Sequence, residues 1–224
     1  MINKEKVCVI VPFYNEEQVI NKVISELISQ NYKVLAVDDG SSDNSYENIK
    51  DLNCTVISHL QNFGQGAALQ TGMSFAKLNP NLDLFVTFDS DGQHQVANIE
   101  DVLNPLIRDE ADIVFGTRFQ DDQTKFTFLK RIILKLAVKY TQLSTGVALT
   151  DTHNGFRALN RIAIDKINLT FPGMTHASEF VGKAGENNLR IKEVPVHVLY
   201  TKYSKRKGQS LWNAINILTD LFLR

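Results

Sequence analysis

The sequence Leu84-Phe85-Val86-Thr87-Phe88-Asp89-Ser90-Asp91-Gly92-Gln93-His94 joins a short apolar run to a cluster of polar side chains. Residues 84–88 are β-branched or aromatic for the most part and a turn residue soon follows, which is typical of a buried strand that ends in a loop. Asp89 and Asp91 lie so close that their carboxylates repel each other unless a cation or strong hydrogen-bond donors neutralise them. Together with the amide oxygen of Gln93 they form the hard ligand set that suits Mg²⁺ or Mn²⁺. The alternative is an Asp-Gly turn in which the first aspartate caps a backbone amide.

Short apolar runs followed by polar residues recur along the first half of the chain. The runs that we predict to be strands span residues 7–11, 34–37, 54–58, 84–88 and 112–115. Apolar residues at helical spacing predict helices over 19–28, 67–78, 99–108 and 126–143, with others over about 43–52 and from near 175. Pro12 is expected to end the first strand, and residues 190–200 are typical of an edge or bulged strand because Pro195 lies within them. Strands that alternate with helices indicate an α/β fold with a parallel sheet covered on both faces.

Polar residues directly follow four of the predicted strands. They fall at 14–16, 38–39, 89–91 and 117–118. In parallel α/β sheets, ligands bind outside the carboxyl ends of the strands, near the point where the strand order reverses. We therefore predict that these four clusters meet at one edge of the sheet and form a functional site there.

Composition limits the class of protein. A chain of 224 residues with 43% hydrophobic content is long enough for one well-buried domain, and its formal net charge of −1 gives no reason to expect a nucleic-acid partner. Cys8 and Cys54 lie in apolar runs, which is typical of buried thiols in a reducing compartment. The sequence shows no secretory signal and no run of about 18 apolar residues. We expect a cytoplasmic protein, either soluble or peripheral at the inner face of the membrane.

The last part of the sequence combines a basic cluster with an amphipathic segment. The basic residues are Lys202, Lys205, Arg206 and Lys207. Residues 211–224 follow, with Leu211, Ile215, Leu218 and Phe222 on one face of a predicted helix. This helix could pack on the domain, lie on a membrane or meet the helix of a partner, and a small membrane protein is one candidate partner.

Four motifs, in this order and at this spacing, resemble glycosyltransferase family 2. They are Val-Pro-Phe-Tyr-Asn-Glu at 11–16, Val-Asp-Asp-Gly-Ser-Ser-Asp at 37–43, Asn-Phe-Gly-Gln-Gly-Ala-Ala at 62–68 and Asp-Ser-Asp-Gly-Gln-His at 89–94. Gly-Thr-Arg at 116–118 and Asn-Gly-Phe-Arg at 154–157 resemble the branch that contains dolichyl-phosphate mannose synthase and related polyprenyl-phosphate sugar transferases.

The resemblance implies a GT-A fold with a mostly parallel sheet over residues 1–210. The donor half would span about 1–118 and the acceptor half about 119–210, with 211–224 as a C-terminal amphipathic helix. It also implies an inverting transfer, dependent on Mg²⁺ or Mn²⁺, from a nucleotide diphosphate sugar. The implied acceptor is a polyprenyl phosphate or a cell-surface glycan intermediate.

The resemblance also implies roles for particular residues. The residues implied for donor binding are Pro12, Tyr14, Asn15, Glu16, Asp38, Asp39, Gly64, Gly66, Asp89 and Ser90, with Asp39 on the base. The implied metal ligands are Asp89, Asp91 and Gln93. Phosphates of the donor or acceptor would face Arg118, Arg131 and Arg157, and the basic segment with Lys205, Arg206 and Ser210 would close over the donor.

The identity of the acceptor decides whether the reaction needs a general base. A phosphate acceptor is already ionised at neutral pH, whereas a hydroxyl acceptor must lose a proton, and Glu179 or Asp151 would be the candidate base. The alternative for Glu179 is a solvent-facing residue of a helix, and the alternative for Asp151 is a loop residue bonded to its own backbone. The predicted catalytic residues are Asp91, Arg118, Arg157 and Glu179.

Two other classes of protein remain compatible with the sequence. A nucleotidyltransferase would share the α/β sheet and the metal-binding carboxylates, but it should carry a glycine-rich basic loop after the first strand, and residues 12–15 do not form one. A non-catalytic subunit of a membrane glycan complex would keep the fold but could dispense with Asp91.

Overall fold

The computed structural model describes residues 2–119, 138–139, 141–143, 145–173, 175–199 and 203. Backbone at 138–139, 141–143 and 145 is helical, and the rest of the helix predicted over 126–143 lies outside the described residues. The predictions for Arg131, Lys205, Arg206, Ser210 and the helix over 211–224 also lie outside them.

Within the described residues, seven strands form one mixed, mostly parallel sheet. The strands are β1 Val7–Phe13, β2 Lys33–Asp38, β3 Thr55–Ser58, β4 Leu84–Thr87, β5 Ile113–Thr117, β6 Arg157–Asn160 and β7 Ile191–Pro195. Their spatial order is β3-β2-β1-β4-β6-β5-β7. All neighbouring strands are parallel except β6, which is antiparallel to both β4 and β5. The sheet confirms the predicted α/β class, whereas β6 was not predicted.

Helices cover both faces of the sheet. They are α1 Ile20–Ser29, α2 Gln65–Ala76, α3 Ile99–Ile107, α4 Arg161–Lys166 and α5 His176–Glu186. Alternate residues of β1 enter different cores: Val9 packs in a cluster with residues of α1 and α3, and Ile10 packs in a cluster with residues of α2, α4 and α5. Burial on both faces explains why the strands are apolar without alternation.

Residues 43–52 form turns and bends, so the helix predicted there is wrong. Its backbone makes isolated turn bonds, such as Asn48 N–H to the Asn44 carbonyl at 3.0 Å, and a polar side chain at its start bonds to nearby backbone. The Asp43 carboxylate accepts from the backbone N–H of Ser45 at 2.9 Å. Such local bonds offer the chain an alternative to a helix.

Pro12 does not end β1, which continues to Phe13, opposite Asp38 of β2. The carbonyl of Ile10 points toward β4 and accepts from the N–H of Phe88. Because the backbone groups of residues two apart in a strand point to the same side, the nitrogen of Pro12 also points toward β4. The registered pairing with β4 stops at Ile10 and Thr87, so the missing N–H of Pro12 costs no ladder bond. Pro195 is the last residue of β7, which is an edge strand as predicted.

Among the described residues, no helix combines the length and apolar character needed to cross a membrane.

Candidate active site

The predicted polar clusters meet at the carboxyl ends of neighbouring strands. Because β2, β1 and β4 are adjacent and parallel, the residues that follow them share one edge of the sheet. This edge therefore brings residues 14–16 beside 38–39 on one side and beside 89–91 on the other. The predicted meeting of these three clusters at one edge of the sheet is confirmed, and the functional site there stays a prediction.

Asn15 and Asp38 shape the loop that follows β2. Asn15 has a φ of +53°, its backbone N–H donates to the Ser41 hydroxyl at 3.0 Å, and its side chain accepts from Ser42. The Asp38 carboxylate accepts from the N–H of Ser41 at 2.9 Å. These two residues therefore fix the loop beside Tyr14, whose side chain is exposed.

Asp39 is buried and holds the loop over residues 59–64. Its Oδ1 lies 2.8 Å from Nδ1 of His59 and accepts from the N–H of Phe63 at 3.0 Å. Its Oδ2 accepts from the N–H of Gly64 at 2.7 Å. Nε2 of His59 lies 2.9 Å from the hydroxyl of Thr71 on α2. Asp39 is thus oriented from three sides at the position where the resemblance expects the nucleotide base.

Gly64 and Gly66 allow the loop before α2 to approach residues 171–173. Gly64 has a φ of +99°, and a Cβ there would lie 2.4 Å from the carbonyl oxygen of Pro172. A Cβ on Gly66 would lie 2.2 Å from the carbonyl oxygen of Phe171, and the Gly66 N–H donates to Pro172 at 2.8 Å. Both glycines are therefore needed for backbone packing, whatever part they play in donor binding.

Glu179 stabilises the segment against which these glycines pack. Its Oε1 accepts from the N–H and the hydroxyl of Thr170 at 2.8 and 2.6 Å, and its Oε2 accepts from the N–H of Phe171 at 2.8 Å. The residue is buried on α5, so the solvent-facing alternative is wrong. Both carboxylate oxygens are thus occupied by the protein itself.

Asp89 is held by two side chains. Gln65 Nε2 donates to Oδ1 at 3.0 Å, and His94 Nε2 lies 2.9 Å from Oδ2. Burial works against ionisation of Asp89, but the hydrogen bond and charge of His94 and the charge of Arg157 lower its pKa overall. A Cβ on Gly155 would lie 2.3 Å from either oxygen, so the glycine lets the backbone approach this carboxylate.

Asp91 is the carboxylate of the pair that the protein neutralises least. Burial and the nearby charge of Asp89 raise the pKa of Asp91 to about 6. Its Oδ1 accepts from the backbone N–H of Gln93 at 3.0 Å. Within the described part of the chain, no group of three or more His, Cys, Asp or Glu residues could hold a metal ion alone. A carboxylate short of positive charge fits a Mg²⁺ or Mn²⁺ ion that takes most of its ligands from substrate phosphates and water.

Arg118 and Asp151 form a buried ion pair. The guanidinium donates through Nε and Nη2 to the two carboxylate oxygens at 2.6 and 2.7 Å. Burial alone would raise the pKa of Asp151, but the charge and hydrogen bonds of Arg118 lower it. The alternative that Asp151 bonds only to its own backbone is therefore wrong. Arg118, predicted to face a phosphate, already has a carboxylate partner.

Arg157 lies on β6 and is completely buried. Its Cζ is 4.7 Å from the centre of the Phe180 ring, and among the described residues none of its three side-chain nitrogens has a hydrogen-bond partner. Burial lowers the pKa of Arg157 to about 10, and the charges of Asp89 and Asp151 oppose that shift. Such a guanidinium remains cationic at neutral pH and has unused donors.

The burial of His176 leads us to expect that the protein loses stability in acid. Burial and the charge of Arg157 lower the pKa of His176 to about 4, and His153 is similarly affected. In the unfolded chain His176 binds a proton below its ordinary pKa of about 6.5. In the folded chain it stays neutral down to about pH 4. We expect His176 alone to remove about 3 kcal/mol of unfolding free energy as the pH falls through this window.

Denaturant unfolding between pH 7.5 and 4 measures this effect. His176→Asn can keep a donor toward the carbonyl of Gly173, which lies 2.8 Å from Nδ1, but it does not titrate in this range. The stability of this variant should decline less steeply than that of the wild type. Equal slopes would contradict the assignment.

The C-terminal part of the chain reaches the site through Tyr203. Its hydroxyl donates to Oε2 of the buried Glu16 at 2.7 Å. Burial, the hydrogen bond to Glu16 and the charges of Glu16, Asp43 and Asp91 raise the pKa of the Tyr203 phenol. The Tyr203 hydroxyl therefore lies within the electrostatic reach of Asp91.

Several residues of the site were not predicted. Two of them carried a signal, because His59 directly follows β3 and Gln65 opens α2 at the same edge of the sheet. Tyr203 carried none, since it is distant in sequence from every strand that forms the site. His94 contacts the Asp89 carboxylate through its ring Nε2. Ser90 is buried, and Gln93 contacts Asp91 through its backbone N–H.

The mostly parallel sheet with acidic side chains at the carboxyl ends of its strands has the architecture of an α/β protein that binds its ligand at that edge. Residues 8–167 match the family model described as "Glycosyl transferase family 2". The chain therefore belongs to glycosyl transferase family 2, and it is a glycosyltransferase.

Relatives extend over nearly the whole chain. An uncharacterised protein of Methanocaldococcus jannaschii is 34% identical over 100% of this chain and 93% of its own length. The UDP-N-acetylglucosamine–dolichyl-phosphate N-acetylglucosaminyltransferase of Methanococcus voltae is 32% identical over 96% of this chain and 94% of its own. The undecaprenyl-phosphate 4-deoxy-4-formamido-L-arabinose transferase of an Enterobacter species is 31% identical over 96% of this chain and 66% of its own.

Solved structures show the same fold. Glucosyl-3-phosphoglycerate synthase of Mycobacterium tuberculosis, bound to Mn²⁺, UDP and phosphoglyceric acid, has a TM-score of 0.66 at 20% identity, over 97% of this chain and 78% of that chain. The same enzyme with phosphoglyceric acid alone has a TM-score of 0.68 at 19% identity, over 97% and 79% of the two chains.

Proposed function

We propose that this glycosyltransferase moves a sugar from a nucleoside diphosphate sugar to the phosphate of a polyprenyl lipid, with inversion at the anomeric carbon. The names of two relatives support the acceptor, since one acts on dolichyl phosphate and the other on undecaprenyl phosphate. A polyprenyl lipid is confined to a bilayer, so this function requires the protein to work at a membrane surface.

The observation that carries the proposal is that both predicted base candidates are already engaged. Asp151 is paired with Arg118, and Glu179 accepts three hydrogen bonds from residues 170–171. Removing a proton from a hydroxyl acceptor would require one of these carboxylates to leave its partners. A phosphate oxygen is already ionised and needs no base. The occupied carboxylates therefore favour a phosphate acceptor.

Asp91 is the residue that we assign to the divalent cation. When bound, such an ion stabilises the negative charge that develops on the departing diphosphate. Asp89 is positioned beside it by Gln65 and His94. Asp91 carries the charge that the protein leaves uncompensated, and Asp89 orients the pair.

Arg157 is the residue that we assign to an anionic oxygen of the acceptor or the leaving group. Arg118 is neutralised by Asp151, whereas the described residues leave the donors of Arg157 without hydrogen-bond partners. An oxygen anion that reaches Arg157 would meet a cation in low-dielectric surroundings, where charge-assisted hydrogen bonds are strong. This supports a phosphate at the start of β6, which lies opposite the carboxyl end of β4.

A matched pair of acceptors tests the function. We expect transfer from a nucleotide sugar to undecaprenyl phosphate in mixed micelles with Mn²⁺, followed by mass spectrometry of the lipid. Undecaprenol, which differs only by carrying a hydroxyl in place of the phosphate, should react about 100-fold more slowly or not at all, because both carboxylates predicted as a base are engaged. Equal rates with the two lipids would contradict the proposal.

A further inference from the structure

We propose that Phe63 binds the base of the donor nucleotide by stacking on its face. This inference rests on the proposed function, because it assumes a nucleoside diphosphate sugar as donor. Phe63 lies within the motif at 62–68, but the resemblance implies no role for it.

Phe63 belongs to a small cluster centred on Asp39. Its backbone N–H donates to Asp39 Oδ1 at 3.0 Å, and its ring meets the His59 ring edge to face, with centroids 5.4 Å apart and planes at 71°. His59 in turn lies 2.8 Å from the same carboxylate oxygen. The Phe63 backbone therefore contacts Asp39 while its ring contacts His59, near the carboxyl ends of β2 and β3.

The loop that carries Phe63 is fixed on both sides. Before it, His59 is held between Asp39 and Thr71. After it, the Gly64 N–H donates to Asp39, and the glycine backbone lies against Pro172. A ring presented by a constrained loop loses little freedom when a ligand binds, so more of its stacking energy appears as affinity.

Exposure alone would not distinguish this residue, because single exposed aromatic side chains are normal on protein surfaces. Phe63 is 49% exposed, and Phe75 on α2 is 47% exposed without a hydrogen bond to the site. The contact with Asp39 is what separates them. A carboxylate can accept only from the N–H groups of a base edge, whereas an aromatic face stacks on any base. Asp39 and Phe63 would thus bind the edge and the face of one base.

Calorimetric titration with UDP, GDP and inorganic pyrophosphate in Mn²⁺ tests the assignment. Phe63→Ala should weaken the binding of whichever nucleotide the wild type binds by about 5-fold to 100-fold. Pyrophosphate, which has no base, should bind this variant as it binds the wild type. Phe63→Tyr keeps the ring and should retain nucleotide affinity. Phe75→Ala is the matched control and should change nothing.

The outcomes separate this inference from the proposed function. Unchanged nucleotide affinity in Phe63→Ala would overturn the role of Phe63 while leaving the proposed donor class intact. An equal loss of pyrophosphate binding would overturn it too, since the substitution would then disturb the phosphate site. If the wild type binds neither UDP nor GDP, the titration is repeated with ADP, CDP and dTDP, and a wild type that binds none of the five would overturn both proposals together.

Discussion

Asp91→Asn is expected to lower the rate of sugar transfer by about 100-fold or more, while the domain stays folded. The neutral amide is a weaker ligand for a divalent cation, so charge on the leaving diphosphate would no longer be compensated. Burial and Asp89 raise the pKa of Asp91 to about 6, which means that the folded protein resists its ionisation. At pH 7.5 without metal, the variant should therefore melt at the same temperature as the wild type or higher. Transfer assays with Mn²⁺ and thermal melting without it measure the two effects.

Asp165→Asn is the matched control for this substitution. Asp165 lies on α4 and is exposed. Asp165→Asn removes the same single charge as Asp91→Asn, so the activity of this variant should equal that of the wild type. EDTA should reproduce the effect of Asp91→Asn on the wild type, and added Mn²⁺ should restore activity. Turnover that persists undiminished in EDTA would refute the role of the metal.

Gly66→Ala is expected to lower the unfolding free energy by about 3 kcal/mol or more. Alanine normally stabilises a helix by about 1 kcal/mol relative to glycine, but a Cβ here would lie 2.2 Å from the carbonyl oxygen of Phe171. A backbone atom held by Glu179 cannot yield as a flexible side chain would, so the clash outweighs the gain. The expected fall in melting temperature is about 6–12 °C. Activity should fall as well, because the adjacent Gln65 would move away from Asp89.

Gly173→Ala provides the comparison on the facing loop. A Cβ on Gly173 would meet nothing within 4 Å, so this substitution should leave both stability and transfer unchanged. Chemical denaturation of the two variants side by side measures the difference. A Gly66→Ala variant as stable as Gly173→Ala would show that residues 171–173 do not hold the loop before α2 in place.

The sequence predicted the edge of the sheet where the site lies, because this depends only on local patterns. Asp39, Asp89 and Asp91 each follow an apolar run, and parallel strands place such residues together. The same local reasoning failed over 43–52, where short polar side chains bond to nearby backbone. Spacing alone does not show whether an aspartate or asparagine side chain bonds to its neighbours or faces solvent.

Partners distant in sequence could not be predicted. Arg118 and Asp151 were both named from the sequence, but their pairing joins residues 33 positions apart and depends on the packed fold. β6 was missed for a related reason. It is four residues long and begins with Arg157, whose charge interrupts the apolar pattern of a buried strand. The aromatic ring and carboxylates that make its burial tolerable come from other elements.

The position of β6 also governs how this chain can fold during its synthesis. When a ribosome has produced residues 1–118, β4 and β5 exist, but the strand that separates them in the sheet has not been made. Each then has an unpaired edge, which is a template for association with other chains. The sheet closes only after Arg157–Asn160 has emerged and inserted between them. The donor half predicted from the motifs would therefore not fold as a separate unit, and cutting the chain after residue 118 would leave an open sheet.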